Sequence, residues 1–494
     1  MPIRTGKEYI EGLRDEREVW IDGRRVDDVT THPAFAEGIR SIARLYDLQH
    51  DPAYQDRLTY ACPETGESTG MSFLMPKRAD DVAKRGSAFT VWAEATGGLM
   101  GRSPDFLNSA ITAFASAPDF FAQDDPQFGR NIVAYYDHCR RHELCLTHTI
   151  TDPQVDRSRR PSEQDDPHIV LGLVGESDAG IIVRGAKMLA TLGPYSDELV
   201  VYPLLPLASE DASYALAFAI PVATRGLKLL CREAMGGGTR PYDHPLAARF
   251  DEMDAMAVFD DVVVPWDRVF IKGRPDLANR LRPGTGAPPF LAHQATARAA
   301  AKAGLLFGAG SLVAEAIGTD GSPQTQEKLG ELLAYLSAVR ACVRAAEADA
   351  ARNEHGVYVP ALDPLQASMT LFPRMYPRMV ELLQLIGSSG LVMTPSEGDV
   401  DGPLGGDVGR YFRGARTSAR ERIALFRLAS DLALQTFGGR QVLYERFYAG
   451  DPARLLANNY VRYDRSREVA MVRRLLDGAL EPQPQPSAVK GGNS

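Results

Sequence analysis

The chain has 494 residues, 44% of them hydrophobic, and a formal charge of −9. That length exceeds one ordinary domain, and that composition supplies a large core. The acidic balance argues against a nucleic-acid surface, and no run reaches the ~20 uninterrupted apolar residues of a membrane span.

The N-terminus lacks an apolar core of the secretory type, so a cytoplasmic protein is expected. Cys62, Cys139, Cys145, Cys231 and Cys342 are scattered in the manner of reduced thiols. Cys139 and Cys145 stand near His138, His142 and His148, but the spacing has no CxxC pair and no second ligand pair, so no metal site is expected.

The first ~150 residues read mainly as helices. Thr5 with Glu8 is a capping box, and Asp22-Gly23 between Val19-Trp20-Ile21 and Arg24-Arg25-Val26 signals a hairpin. Helices are expected near 33–47, 79–97 and 103–117, with 127–143 less distinct. From about 167 to 271, short apolar and β-branched runs separated by turn clusters predict strands: 169–173, 180–189, 198–204, 214–222, 227–231 and 255–264. Strands without intervening helices imply an antiparallel sheet or barrel. Gly236-Gly237-Gly238-Thr239 reads as a mobile loop between strands, lacking the context of a phosphate loop. Beyond 288, helices lengthen. Ser322-Pro323 starts one with the apolar stripe Leu329, Leu332, Leu336, Val339 and Val343, and Ser418 with Glu421 starts another that Gly438-Gly439 can end. The fold class is therefore α+β. Its domains are a mainly helical one over 1–150, a β domain over 151–275, a helical bundle over 276–480, and a disordered tail over 481–494.

Two strings carry chemistry. In Gly101-Arg102-Ser103-Pro104-Asp105-Phe106, Ser103 can cap a helix with Pro104 at its first position, and Arg102 adds charge to the positive end of that helix. In Leu146 through Arg157, His148 follows an apolar approach and can take a proton from a phenol or bind the phenolate. Asp156 and Arg157 read on their own as an ion pair or a turn cap.

These strings, with Asp28 through Phe35, Asp178 through Val183, Tyr242 through Leu246, Arg249 through Glu252 and Tyr448 through Pro452, resemble the 4-hydroxyphenylacetate 3-monooxygenase family. These are the oxygenase components of two-component, flavin-dependent phenol hydroxylases. The resemblance implies the fold of the acyl-CoA dehydrogenases, usually a homotetramer, and a separate flavin reductase supplying reduced FAD (FADH2) that is held without a covalent bond. It implies that O2 adds to the flavin C4a atom and that the resulting hydroperoxyflavin hydroxylates a phenol ortho to its hydroxyl. Arg102 and His148 would be catalytic, with Ser103 and Phe106 also at the substrate. His148, Thr149, Ile150, Gln154, Val155, Asp156, Arg157, Thr191, Tyr448, Ala449, Gly450 and Asp451 would contact the flavin. Phe106 stands where the family often has a tyrosine, which leaves open a halophenol or a carrier-bound tyrosine derivative as substrate.

Same-fold dehydrogenases often carry a catalytic glutamate near Tyr448-Ala449-Gly450, and Ala449 cannot abstract a proton. A related iron–sulfur dehydratase needs a cluster held by three cysteines and a histidine, but this chain has no cysteine between Cys62 and Cys139, and Ala300 stands seven residues past His293 where a cysteine would be wanted. A noncatalytic flavin-binding homologue is the remaining rival.

Overall fold

The computed structural model describes residues 3–480, so the tail expected over 481–494 lies outside the described residues. The chain forms a large unit ending at Tyr448 and a small one beginning at Ala449.

In the large unit, helix α1 (Gly6–Gly12) starts at the anticipated capping box, where the Thr5 amide donates to Glu8 across 2.8 Å. Strands β1 (Glu18–Ile21) and β2 (Arg24–Arg25) form the hairpin; Asp22 (φ 51°) and Gly23 (φ 72°) both take the left-handed conformation that a two-residue turn of this hand requires. Helices α2 (Ala36–Leu48), α3 (Ala79–Ala95), α4 (Pro104–Ala115) and α5 (Pro126–His142) follow. The last is well bounded. Asp125 accepts from the Gln127 amide at 2.7 Å, Pro126 opens the first turn, and Glu143 ends the helix in a left-handed conformation.

Eight further strands enter the two main sheets: β3 (Leu146–Thr149), β4 (Gly172–Ser177), β5 (Gly180–Thr191), β6 (Glu198–Val201), β7 (Leu216–Pro221), β8 (Leu227–Cys231), β9 (Asp254–Pro265) and β10 (Val269–Lys272). They build a six-stranded sheet, β2-β1-β8-β9-β5-β4, and a four-stranded sheet, β10-β7-β6-β3. Neighbours within 172–272 pair antiparallel, as the turn-separated strands imply. Two ladders are parallel, β1 with β8 and β3 with β6. Both bring in strands from the first 150 residues, across the long connections that parallel pairing needs. The strand expected over 198–204 stops at Val201, shortly before Pro203, which has no amide to give a ladder. Val170 makes only an isolated bridge to Ala186, so the strand expected at 169–173 starts at Gly172 instead.

The longer helices that follow in this unit are α6 (Pro275–Gly284), α7 (Ala287–Ala316), α8 (Pro323–Ala348), α9 (Leu362–Gly387), α10 (Ala419–Ala433) and α11 (Thr436–Phe447). By length and composition alone α7 could cross a membrane. Here it is the central helix, packed by α3, α4, α8, α9 and α10. Its small residues allow that approach. Leu332, Leu336 and Val339 of the anticipated α8 stripe are fully buried.

Two readings of glycine are corrected. Gly438-Gly439 lie inside α11 instead of ending a helix. A Cβ on Gly438 would stand 2.5 Å from the Leu432 carbonyl oxygen, so glycine there lets α11 start against the end of α10. The 236–239 loop connects β8 to a short helix, Ala247–Phe250, and is closely packed: a Cβ on Gly236 would meet the Ala247 backbone at 2.1 Å. Close approach, not mobility, explains these glycines.

In the small unit, α12 (Pro452–Arg462) and α13 (Ser466–Leu480) are two helices, and α12 buries none of its residues. Asp451 caps α12, accepting from the Arg454 amide at 2.8 Å.

Candidate active site

Arg102 sits just before α4. Its amide donates to Glu252 Oε1 at 2.8 Å, which ties this turn to the segment preceding β9. Gly101 is required beside it, because a Cβ there would lie 2.3 Å from the Tyr444 hydroxyl. The guanidinium carbon is 4.2 Å from the ring centroids of both Phe106 and Tyr448. Those rings meet at 74°, so the cation occupies the corner between two π faces. Nη1 is buried without a hydrogen-bond partner. Burial opposes the charge, but the fields of Tyr444, Tyr448 and Glu252 outweigh it and hold the guanidinium pKa above its ordinary value.

His148 is the third residue of β3, all four of whose residues are buried. Its ring stands edge-on to Phe106 at 5.6 Å and to Tyr202 at 5.9 Å, and its Nδ1 is 3.2 Å from the Tyr202 hydroxyl. Burial, then the charges of Arg102 and Arg282, hold the imidazole well below its usual pKa of 6.5. At neutral pH it is uncharged. The fold therefore brings Arg102 and His148 to one ring, Phe106, from sequence positions far apart.

Ser103 occupies the cap position of α4 but does not cap it. Its hydroxyl donates to Asp105 Oδ1 at 2.7 Å, and Gln294 donates to the same oxygen at 3.1 Å. Burial raises the Asp105 carboxyl to about 6, and these donors partly offset that cost.

Behind Tyr448 lies a charge cluster that sequence reading missed. Arg298 on α7 donates to both carboxylate oxygens of Glu445 on α11, at 2.6 and 2.8 Å, and its guanidinium carbon is 4.6 Å from the Tyr448 centroid. Lys302 donates to Glu445 and Gln441. Burial opposes ionisation of Glu445, but Arg298 and Lys302 outweigh it and hold the carboxyl at about 2; burial draws Lys302 down to about 8. The available signal was two cations one turn apart in an alanine-rich helix.

The segment leaving β3 runs beside β5. The Thr149 hydroxyl donates to the Met188 carbonyl at 3.3 Å, Ile150 is buried, and the Thr191 hydroxyl donates to Asp254 at 2.7 Å. Gln154, Val155 and Arg157 are exposed, and their side chains have no hydrogen bond or ion pair among the described residues. Asp156 does cap a turn, through Ser158, and pairs with Arg159 at 3.3 Å instead of Arg157. Leu189, not foreseen, holds a left-handed φ of 62° at the end of β5 while half exposed, a strained conformation for a side chain with a Cβ. A cavity of about 380 Å³ opens over β5, β8 and β9, lined in part by Pro153, Arg184 and Met256 and by neither Arg102 nor His148. Ala449, Gly450 (φ 112°) and Asp451 fall in the small unit. Among the described residues no three His, Cys, Asp or Glu side chains gather as metal ligands.

Residues 5–271 match the N-terminal domain of 4-hydroxyphenylacetate 3-hydroxylase, and residues 278–477 match its C-terminal domain. The chain belongs to the 4-hydroxyphenylacetate 3-hydroxylase family. It is 46% identical, over 97% of its own length and 98% of the relative's, to the 4-hydroxyphenylacetate 3-monooxygenase oxygenase component of Thermus thermophilus. It is equally similar, with a TM-score of 0.92 over 97% of this chain and 99% of the other, to a crystal structure of an oxygenase component (HpaB) complexed with FAD and 4-hydroxyphenylacetate. The butyryl-CoA dehydrogenase of Megasphaera elsdenii is 12% identical with a TM-score of 0.51, covering 92% of this chain and 96% of the other. That likeness concerns the fold alone and agrees with the helical, β and helical arrangement of this family member.

Proposed function

We propose that this 4-hydroxyphenylacetate 3-hydroxylase family member is the oxygenase component of a two-component aromatic monooxygenase, adding one oxygen of O2 ortho to the hydroxyl of a phenol. The observation that carries this reading is the buried, partnerless Arg102 Nη1 held beside an uncharged His148 across the Phe106 ring. The residues of the β3–β5 segment suit a flavin. Leu189 offers an exposed apolar surface near the end of β5, Thr191 ends the same strand, Thr149 of β3 bonds to the neighbouring Met188, and Gln154 and Arg157 leave amide and guanidinium groups free for a polar tail. When bound as FADH2 delivered by a separate reductase, the flavin supplies the electrons that activate O2.

The chain's own contribution is to the phenol. A phenol has an unperturbed pKa near ~10, so little phenolate exists at neutral pH. Arg102 offers a fixed positive charge and an unused N–H to the phenolic oxygen. With Nδ1–H donating to the Tyr202 oxygen, His148 Nε2 is left free to accept the phenol's proton. Partial phenolate character would push electron density to the ortho carbon and make it the better nucleophile toward oxygen activated by the bound flavin. One atom of O2 goes to the ring as the O–O bond breaks, and the other leaves as water. Loss of the ring proton at that carbon then restores aromaticity. Phe106, Tyr444 and Tyr448 enclose the cation and exclude water from it.

Assembly as a homotetramer through the helical bundle fits the exposed apolar side chains Leu312, Leu333, Leu371, Leu385 and Leu443. Light scattering on the purified chain tests it. The reaction is tested by supplying reduced FAD enzymatically and following substrate plus one oxygen by mass. Flavin reoxidation with no oxygenated phenol from any tested ring would leave the noncatalytic reading.

A further inference from the structure

Arg282 is the second cation whose field reaches His148, after Arg102, and it comes from a different element, near the end of α6. Its guanidinium carbon is 5.5 Å from the centroid of the Tyr202 ring, the residue whose hydroxyl meets His148 Nδ1. The side chain is half buried. Among the described residues, no carboxylate pairs with it and no hydrogen bond holds it. Nearby arginines of similar exposure behave otherwise: Arg268 is bound to Glu198 at 2.7 Å and Arg274 to Asp276 at 2.8 Å. An unpaired, partly desolvated guanidinium is costly unless an anion arrives to meet it.

We propose that Arg282 is a specificity-determining residue that binds an anionic substituent, a carboxylate, on the phenol whose hydroxyl lies between Arg102 and His148. The proposal rests on the phenol hydroxylation assigned above. Two cations from different elements act on one imidazole, Arg282 through the Tyr202 ring it covers, so a ring anchored at its oxygen by Arg102 can present a charged group at its other end to Arg282. Tyr202 fixes the spacing, because it touches both His148 and Arg282. Phe106 contributes only its ring, so a charged contact elsewhere gives acidic phenols their preference over neutral ones. A guanidinium meets a carboxylate with two parallel N–H donors, which lysine cannot reproduce in full.

The test compares 4-hydroxyphenylacetate with 4-methylphenol, which keeps the hydroxyl and lacks the charge, using the full-length enzyme with enzymatically reduced FAD. Arg282→Gln raises KM for 4-hydroxyphenylacetate by about tenfold or more, with kcat within about twofold, and leaves KM for 4-methylphenol unchanged. Arg282→Lys recovers part of the loss. Calorimetric titration of each phenol into the protein reads the same selectivity without turnover, and a retained Tm shows that the variant folds. Parallel changes for both phenols, or none for either, overturn the proposal. So does a loss of FAD affinity with phenol binding intact, which would assign the guanidinium to the flavin. A wild-type enzyme that hydroxylates neither phenol sinks the reaction assignment itself, whereas selective failure of the Arg282 arm leaves that assignment standing.

Discussion

The His148 imidazole meets the Phe106 ring edge to face, with centroids 5.6 Å apart, and that same ring carries the Arg102 guanidinium 4.2 Å from its centre. One phenylalanine therefore spaces a neutral proton acceptor from a fixed cation. Its side chain has no hydroxyl to share with a substrate. Phe106→Tyr adds one, and a net hydrogen bond of about 1 kcal/mol corresponds to an approximately fivefold lower KM for a phenol. Steady-state kinetics with a fixed reductase checks this. An unchanged or higher KM would mean that the new hydroxyl does not face the substrate.

Arg102→Lys keeps a charge but loses the planar group that lies against Phe106 and Tyr448. Hydroxylation should fall about 100-fold, the usual scale for removing one preorganised donor. Reduced flavin would still be reoxidised, so peroxide release should rise as product falls. Product and peroxide measured together separate this from simple unfolding.

The pH dependence of His148 has a definite sign. Burial, with Arg102 and Arg282, depresses its folded pKa below 6.5. An unfolded imidazole binds a proton near 6.5 that the folded one refuses. This residue's share of stability is thus complete above 6.5 and is lost as pH falls toward the folded value. The same depression keeps the base unprotonated in mild acid, so kcat/KM should show no acid limb centred at 6.5 from this group. A limb at 6.5 would place His148 in water, contrary to its burial.

Glu445 compensates two buried cations, Arg298 and Lys302. Glu445→Gln leaves them without a counter-charge, and breaking a buried pair in this way costs about 3–5 kcal/mol. Thermal unfolding should register a clear fall in Tm. The wild-type contribution is present above the ordinary glutamate range and is lost as pH drops toward the folded value of about 2, because the depressed carboxyl must then be protonated. Through the Arg298 contact with Tyr448, the variant should also weaken phenol hydroxylation in whatever fraction remains folded.

Local signals were legible because local geometry alone decides them. The capping boxes at Thr5 and Ser418, the Asp22-Gly23 turn and the alternation of strands with turns all depend on residues a few positions apart. The Arg102 and His148 strings announced their chemistry through residue type, and tertiary structure supplied their meeting. Glycine misled twice, at 236–239 and 438–439, since the same residue serves a turn, a helix end or a close backbone approach.

Other features belong to the tertiary structure alone. Arg102 meets Glu252 across 150 residues, and Arg298 meets Glu445 across 147. No spacing rule reaches that far, because such contacts arise only when burial brings distant segments into a medium where charges must find partners. Sequence by itself determined which residues could act as cation and base; only the packing of α4, β3, α7 and α11 decided that they share one dry corner, with Arg282 left unpaired at its edge.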